Sequence, residues 1–480
     1  MRCGVFLAGV WLVWPAGVAP ADDPGLRERA AAGLRRAVGY FRTEVATEGG
    51  YLWRYSEDLA RREGEGKATA TQVWVQPPGT PAVGLAYLAA YKATGDRYYL
   101  DATRETAHAL VRGQLRSGGW AHQIEFDPAL RKRFAYRTDG GGGERARNVT
   151  TLDDDSTQSA VRFLVRVDAA LKGKDDRIHE ATGYALNSLL KAQYPNGAWP
   201  HGYSGFPDPV KFPVKMANIP ETWPRAPVKK EYWEYYTLND NLIPDLVDTL
   251  LEAARLTGEP KYRAATGRAG DFLILAQLPE PQPGWAQQYD FDMHPAWARK
   301  FEPPAVSGGE GQGAMQTLLR LYRETGDTKY LEPVPRALAY YRRSRLPDGR
   351  LARFYELGTN KPLYFTRKYE LTHKDDDLPT HYGFQVSSRL DAISREYDRL
   401  RGLSPEELKR EAKPVKHRVG PSEAQVKAVL DAQDRRGRWV ESGRLRSQGP
   451  DDPTRRVVES RTFVRNVELL SAYLAATRPD

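Results

Sequence analysis

Apolar residues recur three and four positions apart in paired segments, and each pair is broken by the same kind of turn. Residues 81–94 carry the pattern, Gly95-Asp96 stops it, and 98–114 resume it before Gly118-Gly119-Trp120. Residues 156–171 and 175–193 repeat the unit and end at Gly197-Ala198-Trp199. A third copy runs through 242–256 and 261–277 to Gly284-Trp285, and a fourth through 312–324 and 330–345 to Asp348-Gly349. A Gln stands six residues before the Trp at Gln114, Gln193 and Gln433. Thr-Gly-Asp or Thr-Gly-Glu at 94–96, 257–259 and 325–327 reads as a helix stop: Gly supplies the left-handed residue and the acid opens the next helix.

Short turns between helices make antiparallel neighbours, and with 26–45, 382–397 and 462–475 the pattern predicts roughly twelve helices. Period-two apolar runs are rare, so the predicted fold is all-α: an α/α toroid closed by the two termini, with long loops at one mouth. Residues 22–480 are expected to form one such domain. The inner helices of a toroid run the same way, so the loops feeding their N-termini converge. Those loops carry Thr151-Leu152-Asp153-Asp154-Asp155, Leu238-Asn239-Asp240, Gly309-Glu310 and Thr380-His381-Tyr382. One Asp ahead of a helix is accounted for by capping. Three in succession are not, because a cap uses one side chain and the others repel.

Residues 1–21 carry Arg2, an apolar stretch and Ala19-Pro20-Ala21, the pattern of a secretory signal peptide, so a secreted or periplasmic protein is expected. The only cysteine, Cys3, lies inside that segment, which excludes thiol and disulfide chemistry from the exported chain. No later stretch is long and apolar enough for a membrane span. A formal charge of +9, spread along the chain, suits an acidic polymer; export disfavours nucleic acid as the partner. A monomer is expected.

Asp153, Asp154 and Asp240 offer the oxygen ligands of a hard cation such as Ca²⁺, whereas zinc patterns of His and Cys are absent. The aromatic run from Gly284 to Gly311 holds Arg299 between Trp297 and Phe301 and leads to Glu310. Connections of this length without helix or strand are usually functional or disordered, and the aromatic content argues against disorder. Trp199, Tyr289 and the other repeat aromatics either pack the hairpins or present flat faces to sugar rings.

TLDDDST, YPNGAWP, YYTLNDNL, GWAQQYD and PAWARKFEPPAVSGGEG, in this order, resemble the pectate lyases of polysaccharide lyase family 10. The resemblance runs from about Gly118 to Gly311 and more weakly to about Phe384, within a family-like core of about 80–400. It implies cleavage of polygalacturonate by Ca²⁺-assisted β-elimination, with Arg299 as the base that takes the C5 proton. A guanidinium is ordinarily charged, so a clamp on a substrate carboxylate is the plainer role. The same resemblance places Asp154 and Asp240 near metal and substrate, with Asp153 beside them and Asp154 also a catalytic candidate; position in the mouth makes Arg367, Tyr382, Trp199, Tyr289 and Glu310 candidate substrate contacts. An α/α-toroid glycoside hydrolase using an Asp pair, a non-catalytic binder of acidic polysaccharide and a terpene-cyclase-like protein remain alternatives.

Overall fold

A computed structural model describes residues 24–140, 142–227, 232–411 and 420–478. The predicted signal peptide lies outside the described residues. Among them are fourteen α-helices. In chain order these are α1 Pro24–Tyr40, α2 Thr80–Thr94, α3 Arg97–Gly113, the short α4 Pro128–Arg131, α5 Ser156–Leu171, α6 Asp176–Lys191, α7 Leu242–Thr257 and α8 Pro260–Leu275. They continue as α9 Gly308–Thr325, α10 Pro333–Arg343, α11 Leu390–Arg401, the short α12 Pro405–Glu411, α13 Glu423–Asp431 and α14 Ser460–Ala476. Helices α14, α2, α5, α7, α9 and α11 lie side by side in that order, and α1, α3, α6, α8 and α10 cover them as outer partners. The molecule is an α/α toroid.

The repeat signature is a structural device. Gln114 Nε2 donates to the Gly118 carbonyl and to Ala181 of the next outer helix; Gln193 does the same to Gly197 and Ala265. Gln433 repeats the pair to Gly437 and to Gly33 in α1, so the C-terminal unit grips the N-terminal helix as each unit grips its successor. The glycines at these turns have positive φ, and a Cβ on Gly197 would stand 1.9 Å from the Arg268 carbonyl. Each repeat Trp is buried and donates its indole N–H back into the helix it follows: Trp120 to Leu110, Trp199 to Leu189, Trp285 to Leu273 and Trp439 to Val429. Phe41 stacks on Phe463 with ring centroids 3.6 Å apart where the two ends of the chain meet.

Short antiparallel strands, which the apolar pattern does not announce, stitch the mouth. The loop entering an inner helix pairs with the loop leaving its outer partner: Gln72–Trp74 with Gln123–Glu125, Thr150–Thr151 with Gly202–Tyr203, and Tyr236–Thr237 with Gln288–Tyr289. The same pairing joins Arg54–Ser56 to Arg456–Glu459 across the chain ends. Pairs of two to four residues are too short to show alternation. Two boundaries differ from expectation. The helix expected over 382–397 begins at Leu390, because Gln385–Val386 is a strand paired with Leu351–Ala352. The one expected from 330 starts as a single turn, Thr328–Tyr330, and becomes α-helical at Pro333, whose missing N–H suits a first position.

Candidate active site

Two loops at the mouth share one backbone. Leu152-Asp153-Asp154-Asp155 precedes α5 and Leu238-Asn239-Asp240-Asn241 precedes α7. Asp154 has φ 48°, ψ 38° and Asp155 φ 59°, ψ 21°. Asp240 has φ 49°, ψ 38° and Asn241 φ 60°, ψ 21°. Asp and Asn visit this left-handed region more readily than other side chains, yet each such residue still costs on the order of 1 kcal/mol. The cost is not met by capping, since neither Asp155 nor Asn241 makes a side-chain cap bond. At α9, by contrast, Ser307 caps in the ordinary way, accepting from the Gly309 and Glu310 N–H groups.

The left-handed pair brings carboxylates together. One oxygen from each of Asp153, Asp154 and Asp240 lies within 4.8 Å of the others. Asp153 Oδ1 is 3.2 Å from His201 Nε2 but is buried without an aligned hydrogen bond. Asp154 Oδ2 accepts from Gln76 Nε2 at 2.9 Å, and Asp240 Oδ2 is 3.4 Å from Arg299 Nη2. Burial and the Asp153 charge push Asp154 up to about 6. Burial, with the charges of Asp153 and Asp154, pushes Asp240 up as well. Burial opposes the charge on Asp153 too, but His201, His122 and Arg299 outweigh it and hold its carboxyl down. Three crowded carboxylates forming an all-oxygen donor set fit a hard divalent cation.

Opposite the acids stands Arg299. Its Nε and Nη2 form a fork on Glu302, at 2.8 and 2.7 Å, and Glu302 also accepts the Arg299 backbone N–H. Burial disfavours the charge, but Glu302 and Asp240 override it and raise Arg299 beyond its ordinary value. The Tyr382 hydroxyl donates to Glu302 Oε1 at 3.1 Å, and its ring lies 5.9 Å from the Arg299 guanidinium and 4.8 Å from that of Arg353. Arg353 in turn faces Glu310 at 3.5 Å. Asp153, Asp154, Asp240, Arg299, Glu310 and Tyr382 therefore share one network of contacts.

Three expected contacts lie elsewhere. Trp199 and Tyr289 are fully buried, with the Tyr289 hydroxyl bonded to the Ala276 carbonyl, so both pack the core and present no face to a sugar. Arg367 is exposed and pairs with Asp377 at 3.1 Å in an outer turn. Asp155 turns away from the cluster to Arg162. The sequence reading missed Glu302, His201 and Gln76. Glu302 had a signal in the Arg299-Lys300-Phe301-Glu302 spacing, an acid three residues from the candidate Arg.

Residues 114–351 match the family model described as pectic acid lyase. Over that segment the chain belongs to the pectic acid lyase family and is a polysaccharide lyase. None of the curated proteins matches it. Among solved structures, the family 10 polysaccharide lyase from Cellvibrio cellulosa aligns at 20% identity over 68% of this chain and 97% of its own, with a TM-score of 0.45. A mutant of a family 10 polysaccharide lyase from the same organism, in complex with trigalacturonic acid, aligns at 19% identity over 67% and 97%, also at 0.45. A sugar epimerase from a ruminal bacterium aligns over 95% of this chain and 100% of its own at 12% identity, again at 0.45. No helix among the described residues is long and apolar enough to cross a membrane.

Proposed function

We propose that the protein is an exported, monomeric pectate lyase that cleaves polygalacturonate by β-elimination, with residues 22–480 acting as one catalytic ring. The observation that carries this reading is the meeting of three half-buried carboxylates with a forked, cationic Arg299 in one mouth. Asp153, Asp154 and Asp240 would hold Ca²⁺, which neutralises the substrate carboxylate and makes the α-proton at C5 more acidic. Arg299 would act on the same uronate, as base at C5 or as clamp on its carboxylate, and Tyr382, Arg353 and Glu310 border the same space. The eliminated C5 proton leaves its electron pair to form the C4–C5 double bond as the C4–O bond breaks, and the departing oxygen keeps that bond's pair and takes a proton from water.

Two roles for Arg299 follow from its surroundings. As the base it must first give up a proton, a step that the ion pair with the buried Glu302 opposes. As a clamp it acts in the charged form that Glu302 and Asp240 maintain. Arg299→Ala removes turnover in either case, by roughly 10²–10³-fold or more. Calorimetric titration with trigalacturonate separates them: a clamp predicts about tenfold weaker binding in the variant, a base unchanged binding. An Arg299→Ala protein that still releases unsaturated product at the wild-type rate would overturn the assignment.

A further inference from the structure

Large apolar side chains left exposed are concentrated in one part of the molecule. Of the seven among the described residues, Val149, Phe206, Val210, Val214, Met216 and Trp233 fall between 149 and 233, and only Leu256 lies elsewhere. Phe206 and Trp233 are 47% and 43% exposed and line a cleft of about 370 Å³ with Val149, Tyr203, Pro207 and Lys211. The segment that supplies most of these residues, 202–227, is rich in Pro, which limits the backbone freedom lost in presenting them.

The cleft adjoins the elements that carry the candidate active site. Its floor is the strand Gly202–Tyr203, paired to Thr150–Thr151 immediately ahead of the acidic loop. His201, one residue before that strand, is the group 3.2 Å from Asp153. The Tyr232 ring lies 6.1 Å from His201 and 5.7 Å from Trp233, so two ring contacts lead from His201 to the cleft wall. Lys191 stands 5.7 Å from the Phe206 ring, and Lys211 is held only loosely by Asp208 at 3.9 Å. Asp208 and Glu234 complete the rim. Flat apolar faces flanked by lysines and hydrogen-bond acceptors suit a sugar ring that carries both hydroxyls and a carboxylate.

We infer that the Phe206–Trp233 cleft is a distal subsite for a uronate residue of the same polymer whose scissile bond lies at Asp153 and Arg299. The inference rests on the proposed substrate class, and it assigns to exposed aromatics the role that the buried repeat tryptophans cannot play. Such a subsite matters for long chains only: a trimer seated at the reacting centre does not need it, while a hexamer gains contacts.

Calorimetry with hexagalacturonate and trigalacturonate on wild type, Trp233→Ala, Phe206→Ala and Trp233→Phe tests this, beside initial rates on both oligomers. Hexamer binding should weaken about tenfold in both Ala variants and stay close to wild type in Trp233→Phe, with trimer rates unchanged in all three. Equal hexamer affinity in wild type and both Ala variants overturns the subsite whether or not the protein turns substrate over. Absence of unsaturated product from wild type would instead overturn the lyase reading, and the binding comparison would still decide the subsite. Thermal melting monitors the fold, which exposed side chains should leave unchanged.

Discussion

The loops before α5 and α7 carry left-handed pairs, Asp154-Asp155 and Asp240-Asn241, that agree to within a degree, and different side chains, Asp-Asp-Asp against Asn-Asp-Asn. What they share is the middle carboxylate, Asp154 or Asp240, carried on a left-handed residue and turned toward the other loop. What differs is the flank. Asp153 meets His201, and its counterpart Asn239 meets Gln287, each partner lying two residues past its repeat Trp. The pairing is thus ionic in one copy and neutral in the other. The neutral copy is the one beside Arg299 and Glu302, where Glu302 already brings a buried charge to the pair. Backbone strain is kept in both copies because it aims a carboxylate; the total charge is adjusted by the residue next to it.

Breaking the arm that both loops lean on should have the largest effect. Trp199→Ala empties a fully buried site and removes the indole bond to Leu189, so a loss of about 3–5 kcal/mol is expected by denaturant unfolding. A smaller effect sharpens the comparison itself. Asn239→Asp converts the neutral copy to the ionic one without a histidine to meet it, and should cost about 1–3 kcal/mol. Adding Gln287→His should restore most of that loss, a coupling readable in a double-mutant cycle. If Asn239→Asp alone is neutral, the flanking pair does not set the charge.

The smallest effect concerns the left-handed residue. Asn241→Gly should lie within about 0.5 kcal/mol of wild type, because Gly has no penalty there, whereas Asn241→Ala should cost about 1 kcal/mol. Equal melting temperatures for the two variants would show that the φ of 60° is not a constraint in solution.

Much of this contrast was legible in the chain and part was not. The Gln-to-Trp spacing exposed the repeat because each Gln and Trp makes local bonds to its own turn and helix, and those bonds need fixed separations. The acids at 153–155 and 240 were legible for the opposite reason: they break the one-cap rule that local structure would follow. The meeting of Glu302 with Tyr382 joins loops from different units, that of Asp153 with His201 joins the entry and exit loops of one unit, and nothing local in sequence requires either. Trp199 and Trp233 show the limit most plainly. Both are tryptophans near the mouth, and burial alone, set by the ring and not by their neighbours in sequence, makes one a core residue and leaves the other open to a ligand.

On the proposed function, the paired loops hold Ca²⁺ for an elimination at Arg299. The most direct measurement is near-ultraviolet absorbance during incubation with polygalacturonate, first after treatment with a chelator and then with Ca²⁺ restored. The expected result is absorbance from the new C4–C5 double bond that disappears on chelation and returns with Ca²⁺. Release of saturated sugars only, or unsaturated product formed at an undiminished rate in the chelator, would contradict it.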